Sequence, residues 1–158
     1  MSHIAKTVRY GKQCTFAQQS LIGMAGRGKK GKQPLTIIGD NCCVQAFSCI
    51  TNGVTIGNNF FLGVHSLVRE DNCIADDVSI GSHCTIGPGN KIGPRVRIHS
   101  GCFIETCRIE EDVFIAPGVI FTNDKYPPVK DKGLLRGAHV KRGAAIGAHA
   151  TILPGVVI

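Results

Sequence analysis

The stretch that decides the fold runs over Ile74–Ile98 and reads IADDVSIGSHCTIGPGNKIGPRVRI, with isoleucine at every sixth position. The same aliphatic period extends over Ile38–Ile104, slips by one residue at Ile109, and resumes over Val140–Ile158. Neither the helical period of ~3.6 nor the strand alternation of ~2 produces a six-residue repeat by itself. Short strands separated by tight turns do produce it, and a hexapeptide repeat is typical of a parallel β-helix.

The repeat also predicts how the chain coils. Three hexapeptides make one triangular coil, so residues eighteen apart stack at the inter-strand spacing of ~4.8 Å. The aliphatic residue points into a narrow interior, and Gly, Asn and Asp supply the bends. An aromatic content of 6% and the absence of Trp fit such an interior. We expect an all-β chain with a β-helix domain of about six coils over residues 38–158. An irregular segment over residues 1–37 is expected to precede it.

The composition indicates where the protein acts and what state its cysteines are in. The chain has no twenty-residue apolar run and no apolar signal core, so we expect a cytoplasmic protein that does not enter a membrane. Its eight cysteines include no C-x-x-C pair, and Cys42 and Cys43 are adjacent, which suits neither a metal site nor a disulfide. Cys84 and Cys102 lie eighteen apart at the small inward position. We therefore interpret the cysteines as reduced, largely buried thiols.

Three segments break the repeat, and insertions in repeat proteins often form loops on a binding face. Residues 26–34 form a basic, glycine-rich excursion, which is either a solvated loop or an anion site that closes over phosphates. Nucleic acid is not expected there, because no aromatic residues interleave with the charges. A one-residue deletion near Cys107 is given no function. The third break, at residues 122–139, contains Pro127 and Pro128, which cannot join a central strand, so the chain must leave the coil and return.

The residues around the third break carry a resemblance. Phe121–Pro127 reads FTNDKYP, and Val140–Val156 reads VKRGAAIGAHATILPGV. With the repeats over residues 38–158, these runs resemble left-handed β-helix acyltransferases. The closest branch acetylates the amino group of nucleotide-linked amino sugars used for surface polysaccharides. The left-handed coil is implied by this resemblance, since connections between parallel strands are otherwise nearly always right-handed.

The resemblance implies a homotrimer with an active site in each groove between neighbouring subunits. Acetyl-CoA would be the acyl donor, and its pantetheine arm would run past the small residues Ala145, Gly147 and Ala148. Its diphosphate would meet Lys141 and Arg142. A nucleotide-linked amino sugar would be the acceptor, and neither a metal ion nor a nucleic acid is expected.

The candidate catalytic residues are Asn123, Asp124 and His139. Acyl transfer needs a neutral amine to attack a thioester, helped by a proton acceptor and an oxyanion donor. The Asn123 amide can orient the amine or polarise the thioester carbonyl, and Asp124 can hold the amine or accept its proton. His139 can serve as the base if the loop folds back. Many relatives that acylate sugar hydroxyls carry Thr-x-x-His-Pro here, whereas Tyr126 precedes the proline in this chain, which favours an amine acceptor.

Two other functions remain open from the sequence. His65 and His83 lie eighteen apart and His99 follows one coil on, so a zinc site like that of β-helical carbonic anhydrases is one alternative. A non-catalytic scaffold subunit is the other. Members of the resembling family usually continue past Ile152–Val156 with further coils and a cap that complete the CoA site. Here we expect an uncapped last coil, or one that another chain covers.

Overall fold

The computed structural model describes residues 1–26, 31 and 33–158. The basic residues of the excursion at 26–34, which are Arg27, Lys29, Lys30 and Lys32, lie outside the described residues.

Regular structure in the described residues consists of 22 short strands and one 3₁₀ helix. In chain order they are β1 His3–Ile4, β2 Val8–Tyr10, β3 Thr15–Phe16, β4 Leu21–Met24, β5 Thr36–Ile38, β6 Cys43–Val44, β7 Cys49–Thr51, β8 Thr55–Ile56, β9 Phe61–Leu62, β10 Leu67–Val68, β11 Cys73–Ile74, β12 Ser79–Ile80, β13 Thr85–Ile86, β14 Lys91–Ile92, β15 Arg97–Ile98, β16 Phe103–Ile104, β17 Arg108–Ile109, β18 Phe114–Ile115, β19 Ile120–Phe121, the 3₁₀ helix Lys132–Leu134, β20 His139–Val140, β21 Ala145–Ile146 and β22 Thr151–Ile152.

Every third strand joins the same sheet, which gives three parallel sheets around one core. The first sheet runs β1-β4-β7-β10-β13-β16-β19-β22, the second β2-β5-β8-β11-β14-β17-β20, and the third β3-β6-β9-β12-β15-β18-β21. Ile80 pairs with Ile98 and Leu62 with Ile80, so the eighteen-residue stacking predicted from the repeat is confirmed. Strands β5 to β22 make the six expected coils.

One corner residue in most repeats has a positive φ, and this lets the chain turn between sheets. The φ angles of Asn41, Asn59 and Asp77 are 56°, 56° and 59°. Asn and Asp tolerate this left-handed conformation better than other residues with a Cβ. Inside the prism the aliphatic side chains of successive strands stack, and Ile50, Ile80 and many others have no exposed surface.

The expectation of an irregular segment over residues 1–37 is wrong over residues 3–24, where β1 to β4 add further coil to the prism. Ile4 pairs with Ile22, but Tyr10 and Phe16 pair with Ile38 and Val44 of the following coil. Two aromatic residues therefore occupy positions that hold an aliphatic residue in later coils, which hid the six-residue period. The two rings pack edge to face at 5.2 Å.

The loop of residues 122–138 leaves the prism between β19 of the first sheet and β20 of the second sheet. Ile109 of β17 still pairs with Val140 of β20, although the whole loop lies between these two strands. The loop therefore leaves the prism and returns without disturbing the second sheet. The extruded loop predicted at 122–139 is confirmed, except that His139 already belongs to β20.

None of the helices in the described part of the chain is long and apolar enough to cross a membrane.

Candidate active site

Near the start of the loop after β19, Asn123 and Asp124 are held in place by the loop itself and by the preceding coil. The Asp124 carboxylate accepts hydrogen bonds from the backbone N–H of Tyr126 at 3.0 Å and of Val129 at 2.9 Å. A side-chain oxygen that accepts from nearby backbone N–H groups folds the chain locally into a turn. Asn123 Nδ2 donates to Thr106 Oγ1 at 3.2 Å, which ties the loop to the preceding coil.

These two residues line a cleft of about 420 Å³ between the loop and the last coil. The lining consists of Asn123, Asp124, Lys125, Tyr126, Val129, Leu134, Arg136, Pro154 and Gly155. Lys125 lies over the Tyr126 ring at 5.4 Å from its centroid. The cleft therefore combines one carboxylate, one amide, cations and an apolar wall, which is the usual make-up of a small-molecule site.

His139 lies elsewhere, on the second sheet, and its partner is Glu110. His139 Nε2 is 2.8 Å from Glu110 Oε1. Glu110 also accepts from the Arg142 backbone N–H at 3.1 Å and from Lys141 Nζ at 3.4 Å. The Arg142 N–H, then His139 and Lys141, lower the pKa of Glu110 to about 2. When His139 is neutral with its proton on Nε2, its Nδ1 is the free acceptor.

Sequence reasoning missed Glu110. It follows β17, and His139 pairs with Arg108 only because the loop insertion brings β20 beside β17. The contact between Glu110 and His139 joins side chains 29 residues apart, a separation that no repeat position marks.

The residues expected to hold the acyl donor divide between two faces. Ala145, Gly147 and Ala148 are exposed on β21 and the turn after it, in the third sheet. Lys141 and Arg142 follow β20 in the second sheet and are already engaged by carboxylates. Lys141 contacts Glu110. Arg142 Nε lies 3.4 Å from Glu111 Oε1 and 3.8 Å from Asp112 Oδ2. The structure does not bring the donor residues together with Asn123 and Asp124 in one cleft of this chain.

His65 and His83 stack on each other in successive coils. The rings of Phe47 and His65 are 5.0 Å apart and nearly parallel, and His65 and His83 are 5.2 Å apart. His99 packs against Phe114 instead, at 4.9 Å between centroids. The described residues contain no group of three His, Cys, Asp or Glu side chains placed to hold a metal ion. Within one chain, His65, His83 and His99 therefore do not form the three-histidine zinc site considered as an alternative.

Comparison with known proteins supports the β-helix architecture. Neither a protein-family model nor a curated protein sequence matches the chain. Among solved structures it is similar to LpxA, a UDP-N-acetylglucosamine acyltransferase from Bacteroides fragilis 9343. The TM-score is 0.74 and the identity 23%, over 78% of this chain and 52% of that chain. The chain thus spans about half the length of that enzyme.

Two further solved structures are more distant. An Arabidopsis UDP-N-acetylglucosamine acyltransferase matches with a TM-score of 0.40 and 13% identity, over 94% of this chain and 64% of that chain. The UDP-N-acetylglucosamine O-acyltransferase LpxA of Moraxella catarrhalis RH4 matches with a TM-score of 0.35 and 16% identity, over 76% of this chain and 68% of that chain. The comparison of folds therefore rests on the Bacteroides fragilis structure alone. The chain is a left-handed parallel β-helix built from hexapeptide repeats.

Proposed function

We propose that the chain is an acyltransferase that acetylates the amino group of a nucleotide-linked amino sugar, with acetyl-CoA as donor. The observation that carries the proposal is the cleft at Asn123 and Asp124. On a rigid left-handed β-helix, the loop entered by an amide and a carboxylate forms a cleft of about 420 Å³. Functional residues are commonly placed in this way, on loops that a rigid scaffold positions.

The side chains in the cleft suit an amine better than a hydroxyl. An amine arrives largely as an ammonium ion, and the Asp124 carboxylate can bind that ion and take its proton. Both Asp124 oxygens keep a free lone pair beside the loop hydrogen bonds, and Asn123 keeps one free N–H beside its bond to Thr106.

The transfer itself requires few groups. The neutral amine attacks the thioester carbonyl carbon and forms the C–N bond, while the Asn123 N–H stabilises the oxyanion. Collapse of that intermediate breaks the C–S bond, the nitrogen gives its second proton to the departing sulfur so that CoA leaves as a thiol, and Asp124 releases the first proton to solvent. His139 lies outside this cleft within one chain and stays a candidate base only for a site that a neighbouring subunit completes; its Nε2 contacts Glu110.

The donor path and the assembly are part of the same proposal. The exposed small residues Ala145, Gly147 and Ala148 leave room for a pantetheine arm along the third sheet. A Cβ added at Gly147 would meet no heavy atom within 4 Å. Lys141 and Arg142 are the candidates to bind the donor diphosphate. To do so they must release the carboxylates that they contact in this structure. A groove between two subunits of a trimer would bring these faces to one site.

The test is acetyl transfer from acetyl-CoA to a panel of nucleotide-linked amino sugars, followed by free-thiol release and by mass spectrometry of the acceptor. Asp124→Asn is expected to lower kcat/KM by ~100-fold or more, because the proton acceptor is lost. Asp131→Asn is the matched control: its carboxylate also accepts a loop N–H, from Gly133 at 2.9 Å, but lies outside the cleft. The control should retain wild-type kcat/KM.

Two outcomes would overturn the proposal. Acetylation of a sugar hydroxyl in place of the amine would remove the amine assignment. Equal activity of Asp124→Asn and Asp131→Asn would remove Asp124 from the reaction.

A further inference from the structure

A second cleft, which none of the loop residues 122–138 lines, lies on the outer face of the second sheet. It has a volume of about 530 Å³, and its lining includes Lys91, Pro94, Arg108, Glu110 and Arg142. Strands β14 and β17 form its floor, and Lys91 and Arg108 are direct partners across the two strands.

This pairing is unfavourable in the absence of a ligand. Directly opposed residues on neighbouring strands have Cβ atoms roughly 5 Å apart, and like charges there are destabilising. Both Lys91 and Arg108 are exposed, and neither forms an ion pair within the described part of the chain. An anion bound between them would convert the repulsion into two attractive contacts.

The carboxylates nearby do not neutralise this pair. Glu110 is bound by His139, Lys141 and the Arg142 backbone. The neighbouring carboxylates are bound by arginine: Glu111 and Asp112 by Arg95 at 2.8 and 2.6 Å, and both also by Arg142. The positive charge of Lys91 and Arg108 is therefore in excess on the floor of the cleft.

We propose that Lys91 and Arg108 form a phosphate-binding site that takes the diphosphate of a nucleoside diphosphate. Arg108 presents a planar fork of N–H donors that matches two phosphate oxygens, and Lys91 adds a point charge. The identity of the ligand rests on the proposed function, since a nucleotide-linked sugar carries this diphosphate. The site itself rests on the charges and strand pairing alone.

The experiment measures binding by calorimetry, with no acyl donor present and at fixed low ionic strength, because exposed charge contacts are screened by salt. The probes are uridine 5′-diphosphate, inorganic pyrophosphate, CoA, and uridine as the phosphate-free control. Lys91→Gln and Arg108→Gln are compared with Arg97→Gln, which removes an exposed cation from β15 of the third sheet. Arg97 lies between Ser79 and Phe114, so it has no cation opposite.

We expect uridine 5′-diphosphate and pyrophosphate to bind the wild-type chain, and each substitution at Lys91 or Arg108 to weaken both by about tenfold or more. Arg97→Gln should bind both as the wild type does, and uridine should not bind. Loss of CoA binding in the same variants, with uridine 5′-diphosphate unaffected, would assign the site to the donor and overturn the acceptor assignment. Unchanged pyrophosphate binding in both variants, or equal weakening in Arg97→Gln, would overturn the site.

The two proposals fail separately. If diphosphate binding depends on Lys91 and Arg108 but no amino sugar is acetylated, the binding site stands and the transferase function fails. If acetylation occurs and its KM for the acceptor is the same in Lys91→Gln, Arg108→Gln and the wild type, the transferase function stands and the phosphate site is wrong.

Discussion

Gly137 is the residue at which a single added methyl group should disable the loop without touching the cleft. It lies where the loop returns to β20, directly against the backbone of the preceding coil. A Cβ there would lie within 3.0 Å of Thr106 O, Thr106 C and Cys107 N, the last at 2.7 Å. Real Cβ atoms essentially never approach other heavy atoms so closely. Because all three atoms are backbone, no side chain can rotate away to make room.

The size of the effect follows from the displacement required. Ordinary contact begins near 3.4 Å, so the return segment must move by about 1 Å. That segment carries the Arg136 N–H, which donates to the Asn123 carbonyl at 2.9 Å, and Thr106 anchors the Asn123 amide. A misplacement of about 1 Å at a reacting centre can cost roughly 100-fold in rate. Overpacking of this kind also destabilises by about 1–3 kcal/mol.

The assay compares Gly137→Ala with Gly133→Ala, in kcat/KM for acetyl transfer and in melting temperature. In Gly133→Ala the new Cβ meets only the flexible carboxylate of Asp131, at 3.1 Å. We expect Gly137→Ala to lose about 100-fold in kcat/KM and Gly133→Ala to remain near wild type. If Gly137→Ala melts and turns over like the wild type, the return path does not position Asn123 and the reasoning is refuted.

Two further predictions concern stability. Ile80→Ala, at a fully buried core position, should lower the free energy of unfolding by about 2–5 kcal/mol in urea denaturation; the exposed Thr55→Ala should change it by less than about 0.5 kcal/mol, and equal effects would contradict the assigned core. Glu110→Gln should lower the melting temperature at pH 7, because the pKa of Glu110 is lowered from 4.5 to about 2 in the folded chain. A lowered carboxyl pKa contributes stability that is complete above pH 4.5 and is lost as the pH falls toward 2, so the wild type and the variant should converge over that range. A melting difference independent of pH would show that Glu110 ionisation does not matter.

The loop is a feature that the local sequence pattern was sufficient to predict. Two prolines and the missing aliphatic period over residues 122–139 were enough to predict that the chain leaves the coil there, and β19 and β20 confirm it. Asn123 and Asp124 were chosen as catalytic because they enter that loop, and their catalytic role stays a prediction. The segment at 3–24 shows the opposite case. Tyr10 and Phe16 stand where the next coil has Ile38 and Val44, and only strand pairing revealed the coil.

The sequence by itself determined the coil, because a six-residue period with a bend in each repeat leaves the backbone one regular way to bury its aliphatic side chains. Tertiary structure alone decided which charges meet. The one-residue deletion and the loop insertion are both absorbed between strands, so Ile92, Ile109 and Val140 stay aligned and Arg108 lies between Lys91 and His139. The charge that a side chain meets is carried by its neighbour in the adjacent coil. Which residue is that neighbour depends on how the intervening turns and loops fold. Glu110, His139, Lys91 and Arg108 therefore came together only when the coils stacked.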